Sequence, residues 1–177
     1  MHAGAVGRTR DERVAQVRDG TDPTVLDFGA YVPVAGAAAK LLRWQEQGAE
    51  IAYLSSHRDP ANVAKDRRVL RRHGFPAGRI LARTAGETYG ALAGRVLPDI
   101  LVEDDCESIG GAAQLAYPQI SAPLRARIGS IVVPEFGGID HLPDSLEELG
   151  ALGTRLSGPA PSGSRAARRT ACSRDDG

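Results

Sequence analysis

"EIAYLSSHRDPANVAKDRRVLRRHGFPAGRILAR", residues 50–83, holds two short apolar runs on either side of a charged stretch. The first, "EIAYLSS" (50–56), reads as a buried strand, and "GRILAR" (78–83) as a second. Between them Asp59 is placed as an N-cap, Pro60 at the first helical position and His73 in the last turn. Gly74 and Pro76 then end the helix. A strand, a helix of ten to fifteen residues and a strand imply a crossover between parallel neighbours, because antiparallel partners need only a tight turn.

The pattern continues on both sides. Upstream, residues 34–48 have helical periodicity with Val34, Ala38, Leu41 and Leu42 on one face and Gly48 as a stop. Downstream, Tyr89, Leu92, Ala93 and Val96 recur at helical spacing, interrupted by Gly90 and Gly94. "DILVE" (99–103) and "SIVVP" (130–134) read as a third and fourth strand, and "PDSLEELG" (143–150) as a last helix capped by Asp144 or Ser145. The order α-β-α-β-α-β-(α)-β-α predicts an α/β fold: a three-layer α/β/α sandwich around a mostly parallel sheet. One domain is expected over 1–156. Its first 33 residues are irregular, with a short helix in "RDERVAQVRDG" (10–20) and an extended "TVLDF" (24–28).

Composition agrees with one globular domain. The chain has 177 residues, 42% of them apolar and 25% charged, which is enough for a sizeable core. The formal net charge of zero gives no pull toward nucleic acid or a membrane surface. No apolar run approaches membrane-span length, and "MHAGAVGRTRDER" lacks the apolar core of a signal peptide. Cys106 and Cys172 lie in unlike contexts and make no disulfide framework, so a reducing cytoplasm is the expected setting. Residues 157–177 are small, polar and rich in Pro and Gly, the composition of a disordered tail; a basic cluster there, Arg165, Arg168 and Arg169, is expected to be solvated.

In an open parallel sheet, ligands bind outside the carboxyl ends of the strands. The first strand ends in Ser55-Ser56-His57-Arg58 and the third in Glu103-Asp104-Asp105. Hydroxyls beside a cation suit a phosphate, and clustered carboxylates suit Mg²⁺, a hard cation that prefers oxygen. Cys106 after the acids and His57 after the serines offer a Cys–His nucleophile as another reading, against which a small residue packed under the turn is the simpler one. "VVPEFGGIDHLPD" (132–144), with Glu135, Asp140 and His141 around a Gly-Gly turn, is placed to border the same edge.

This arrangement resembles the haloacid dehalogenase-like (HAD) superfamily of phosphohydrolases over about residues 34–150. "IAYLSSHR" looks like its second motif, which implies Ser55 as a hydrogen-bond donor to phosphate. "DILVEDD" looks like its fourth, which implies Asp104 and then Asp105 as Mg²⁺ ligands. The third motif, a Lys or Arg that steadies the phosphoryl charge, is matched by Arg83 in preference to Arg95, with Lys65, Arg67 and Arg68 read as a solvated helix face. The resemblance implies a small phosphorylated molecule as partner. The first motif, Asp-x-Asp-Gly-Thr, which carries the nucleophile on a central strand, is absent. "DGTDP" (19–23) follows a helix, and "VLDFG" has Gly29 where the second Asp belongs. The chain is therefore expected to be inactive, with the central strand upstream of Met1 or, alternatively, with "TVLDF" in the central position of a pseudoenzyme. A non-catalytic phosphate- or nucleotide-binding module is the rival reading. A receiver-like signalling domain is a further one, disfavoured because receivers carry their acidic pair after the first strand.

Overall fold

The computed structural model describes residues 1–157. Apart from Ser157, the tail expected over 157–177, with its basic cluster and Cys172, lies outside the described residues. The elements run α1 (Arg10–Asp19), α2 (Ala37–Glu46), β1 (Ala52–Ser55), α3 (Pro60–Arg72), β2 (Arg79–Ala82), α4 (Tyr89–Val96), β3 (Ile100–Asp104), α5 (Ala122–Arg125), β4 (Gly129–Val133) and α6 (Leu146–Ser157). This is a mixed α/β chain. Among the described residues no helix is long and apolar enough to cross a membrane.

Local chemistry places these boundaries. In α1 the Thr9 side chain accepts from the Glu12 amide while Glu12 reaches back to the Thr9 amide, a reciprocal cap, and Gly20 closes the helix in the left-handed region. Asp59 caps α3 by accepting from the Asn62 amide, with Pro60 behind it as the sequence indicates. Thr88 caps α4 through the Ala91 amide. Gly90 is required by contact rather than by conformation: a Cβ there would stand 2.6 Å from the Gln119 carbonyl oxygen, so its absence lets α4 seat on the turn at Tyr117–Gln119.

Three expectations are corrected. Residues 24–28 are not extended but lie in 3₁₀ turns, Pro23–Leu26 and Phe28–Ala30. The Asp22 carboxylate accepts from the Thr24 amide (2.9 Å) and hydroxyl (2.6 Å), and Pro23 fixes φ, so the segment is folded locally and does not fill a central strand position. On α2 the inward face is Lys40, Leu41 and Trp44, while Leu42 is exposed. Lys40 is buried because its ammonium finds the Leu142 carbonyl (2.7 Å) and the Asp144 carboxylate. Between β3 and β4 the expected helix is a run of 3₁₀ turns with only the single-turn α5.

All strand pairs are parallel, as expected, but they form two ladders rather than one sheet. β1 pairs with β2, Ser55 opposite Ala82, and β3 pairs with β4, Asp104 opposite Val133. Among the described residues no ladder joins the two.

The core is correspondingly lopsided. Trp44, Ile131, Val133, Leu142 and Leu149 form one buried cluster, with Ile100 and Val102 against it. Ala93, Ala116, Ile120 and Ile128 form another, with Leu101 against it. Alternation along β3 thus sends Ile100 and Val102 to α2 and α6 and Leu101 to α4. The β1/β2 half is poorly covered. α3 has no buried residue, and Leu54 in the middle of β1 is 36% exposed. A two-stranded ladder with so little apolar cover is marginal on its own.

Candidate functional site

The carboxyl end of β1 is closed by hydrogen bonds. Ser55 is buried and donates to Asp66 Oδ2 at 2.6 Å, while its oxygen accepts from the His57 amide at 3.1 Å. His57 Nδ1 lies 3.0 Å from the same Asp66 oxygen, and the Phe28 ring packs on the imidazole with centroids 4.2 Å apart. The one hydroxyl proton of Ser55 therefore ties β1 to α3. Arg83 leaves β2 at the same end. Its guanidinium stacks 3.8 Å from the Tyr89 ring centre and Nη2 donates to the Ser56 carbonyl at 3.5 Å, with Nε buried and unpartnered. Arg95 is instead paired with Glu87 at 3.1 Å. Lys65 is not a plain solvated residue, because it bonds Asn62 Oδ1 and sits over the Phe28 ring; Arg67 and Arg68 are exposed as expected.

At the end of β3 the three acids have different work. Glu103 accepts from the Ala116 and Tyr117 amides at 2.7 and 3.0 Å, capping a turn of the β3–β4 connection. Burial pushes its carboxyl up from the ordinary range, against those two hydrogen bonds. Asp104 accepts from the Cys106 amide at 2.9 Å through one oxygen. Asp105 extends the ladder, its amide on the Val133 carbonyl at 2.9 Å. Its Oδ1 accepts from the amides of Glu135 (3.0 Å) and Glu107 (3.4 Å), and its Oδ2 from Arg10 Nη2 (3.3 Å). Glu135 does border this edge, its carboxylate holding the amide and hydroxyl of Ser108 at 2.8 and 2.7 Å. Asp140 is turned away to the Gly36 amide at the start of α2. The loops after β3 and β4 both turn through a non-glycine residue in the left-handed region, Cys106 at φ 51° and Phe136 at φ 59°. Such residues cost about 1–3 kcal/mol each and persist where surroundings over-determine them.

Two questions raised by the sequence meet this geometry. A Mg²⁺ ion needs about six oxygens in near-octahedral array. Here Asp104 Oδ2 is the one oxygen of the Asp104–Asp105 pair without a hydrogen bond, and no group of three or more His, Cys, Asp or Glu is poised around a common point among the described residues. In this arrangement the residues do not fit the metal. Acidity counts against the Cys–His nucleophile: burial first, then Asp104, push the Cys106 thiol up to about 12. In a Cys172→Ser background, alkylation of Cys106 by iodoacetamide at pH 8 should run about a hundredfold or more below that of a free thiol, and should still be rising past pH 10. A rate that levels off near neutral pH would restore the nucleophile.

Asp66 and Arg10 had no local signal. Asp66 is one acid in a basic helix, and Arg10 reaches Asp105 across 95 residues of sequence. No family model, curated protein or solved structure matches this chain.

Proposed function

We propose that the chain is a HAD-like α/β domain shaped for phosphate esters and that it holds a small phosphorylated molecule without turning it over. The observation that carries this is the pairing of two parallel ladders whose carboxyl ends present complementary chemistry, Ser55, Ser56 and Arg83 on one and Asp104 and Asp105 on the other. Among the described residues the two ladders are not joined to each other, and the reading puts the superfamily's central strand, with its two aspartates, between β1 and β3. The reading places Arg83 as the phosphate's cation and Ser55 as the residue that fixes the β1 turn. The non-catalytic form is favoured because Ser55 already spends its proton on Asp66 and no Asp-x-Asp pair stands beside it.

Incubation with an aryl phosphate and Mg²⁺ should give no turnover above background. Calorimetry with inorganic phosphate should give binding weakened about tenfold by Arg83→Ala, the loss of one charge-assisted contact. Hydrolysis abolished by Asp27→Asn would overturn the proposal, because it would make "TVLDFG" a working first motif. Equal phosphate binding by the wild type and Arg83→Ala would remove the arginine from the site.

A further inference from the structure

We infer that α1 is a charge-held cover over the carboxyl ends of β3 and β4, latched by Arg10. The first residue of α1 reaches both loops at that edge. Arg10 Nη2 bonds Glu107 Oε2 at 2.6 Å and Asp105 Oδ2 at 3.3 Å, and its Nε donates to the Glu135 carbonyl at 3.0 Å. Arg13, one turn on, donates to the Ala5 carbonyl at 3.0 Å and to Phe136 at 3.5 Å. The chain that follows α1 passes to the other ladder, where Phe28 lies on His57 and the Gly29 and Tyr31 carbonyls accept from Arg72 and His73. Residues 10–28 thus touch the loops after β1, β3 and β4.

Apolar contact holds α1 there only in part, and charge supplies the latch at its first turn. Val14 is its one buried residue, so little surface is removed from water when it docks. The ion pairs are partly solvated, with Arg10, Asp105 and Glu107 side chains 34%, 38% and 51% exposed, and pairs of that kind are weak and screened by salt. Segments with few buried apolar contacts and solvated hydrogen bonds open first. When α1 lifts, Asp105 Oδ2 and the Glu107 carboxylate lose their cation, and the loops after β3 and β4 are uncovered together.

The test is hydrogen exchange on the full chain, comparing wild type, Arg10→Gln and Arg10→Lys. Amides of residues 10–19 should exchange about fivefold or more faster in Arg10→Gln, and less so in Arg10→Lys, which keeps the charge but not the fork. Those of 100–104 should be unchanged. Raising NaCl from about 0.05 to 0.5 M should open α1 in the wild type in the same selective way. Unchanged exchange over 10–19 in Arg10→Gln, or equal acceleration over 100–104, would overturn the cover.

Discussion

Trp44→Ala is expected to lower the free energy of unfolding by about 3–5 kcal/mol, the usual cost of emptying a buried aromatic site. Trp44 is 3% exposed and lies in the cluster that joins α2 to β4 and α6, against Ile131, Val133, Leu142 and Leu149. Its indole also donates to the Pro143 carbonyl at 3.0 Å, so truncation strands a backbone acceptor as well as leaving a void. Small domains have about 5–15 kcal/mol in total, and both buried clusters of this one lie on the β3/β4 ladder, so the loss is a large share of the whole. Trp44→Phe keeps most of the volume and should cost about 1 kcal/mol beyond repacking, for the lost hydrogen bond. Urea unfolding should be followed by far-UV circular dichroism, since Trp44 is the single tryptophan and cannot report on its own removal. A midpoint in Trp44→Ala indistinguishable from wild type would mean that α2 is not part of the core.

The features legible in the sequence were those decided within a few residues. Asp59-Pro60 and Gly74 bracket α3 because capping and left-handed closure are local chemistry, and alternation in "DILVE" gives β3 because one face must meet α2 and the other α4. Direction followed from the helical crossovers. What failed depended on distant partners. Leu42 has the right spacing for the core, yet α2 rotates to bury Lys40, whose ammonium is satisfied by Leu142 and Asp144 about a hundred residues away. "TVLDF" has strand composition, yet Asp22 and Pro23 hold it in a turn. At the site, the sequence placed Ser55 and Asp105 at strand ends, and the structure has them there. It could not show that their polar atoms were already spent on Asp66, Glu135 and Arg10, because hydrogen-bond partners are a property of packing.

Attaching an N-terminal segment of about five apolar residues followed by Asp-x-Asp-Gly-Thr is expected to raise the unfolding temperature by roughly 5–15 °C, if the two ladders are halves of one sheet. Ordering about five residues costs on the order of 5–10 kcal/mol. Three inward side chains return about 5–8 kcal/mol, and up to ten new ladder hydrogen bonds, at about 0.5–1.5 kcal/mol net each, exceed the remainder. A surplus of a few kcal/mol corresponds to that shift for a chain of this length. The gain should appear where cover is now poorest, as slower amide exchange in β1 and α3, with Leu54 losing exposure. Two controls separate the strand from its chemistry. Proline at the segment's centre removes a ladder donor and should abolish the stabilisation. Asparagine in place of both added aspartates should keep the stabilisation, and any aryl phosphate turnover that the segment confers should vanish with the carboxylates. If the unsubstituted segment leaves stability and exchange unchanged, β1/β2 and β3/β4 are independent ladders, and the HAD-like reading of their carboxyl ends falls with the central strand it requires.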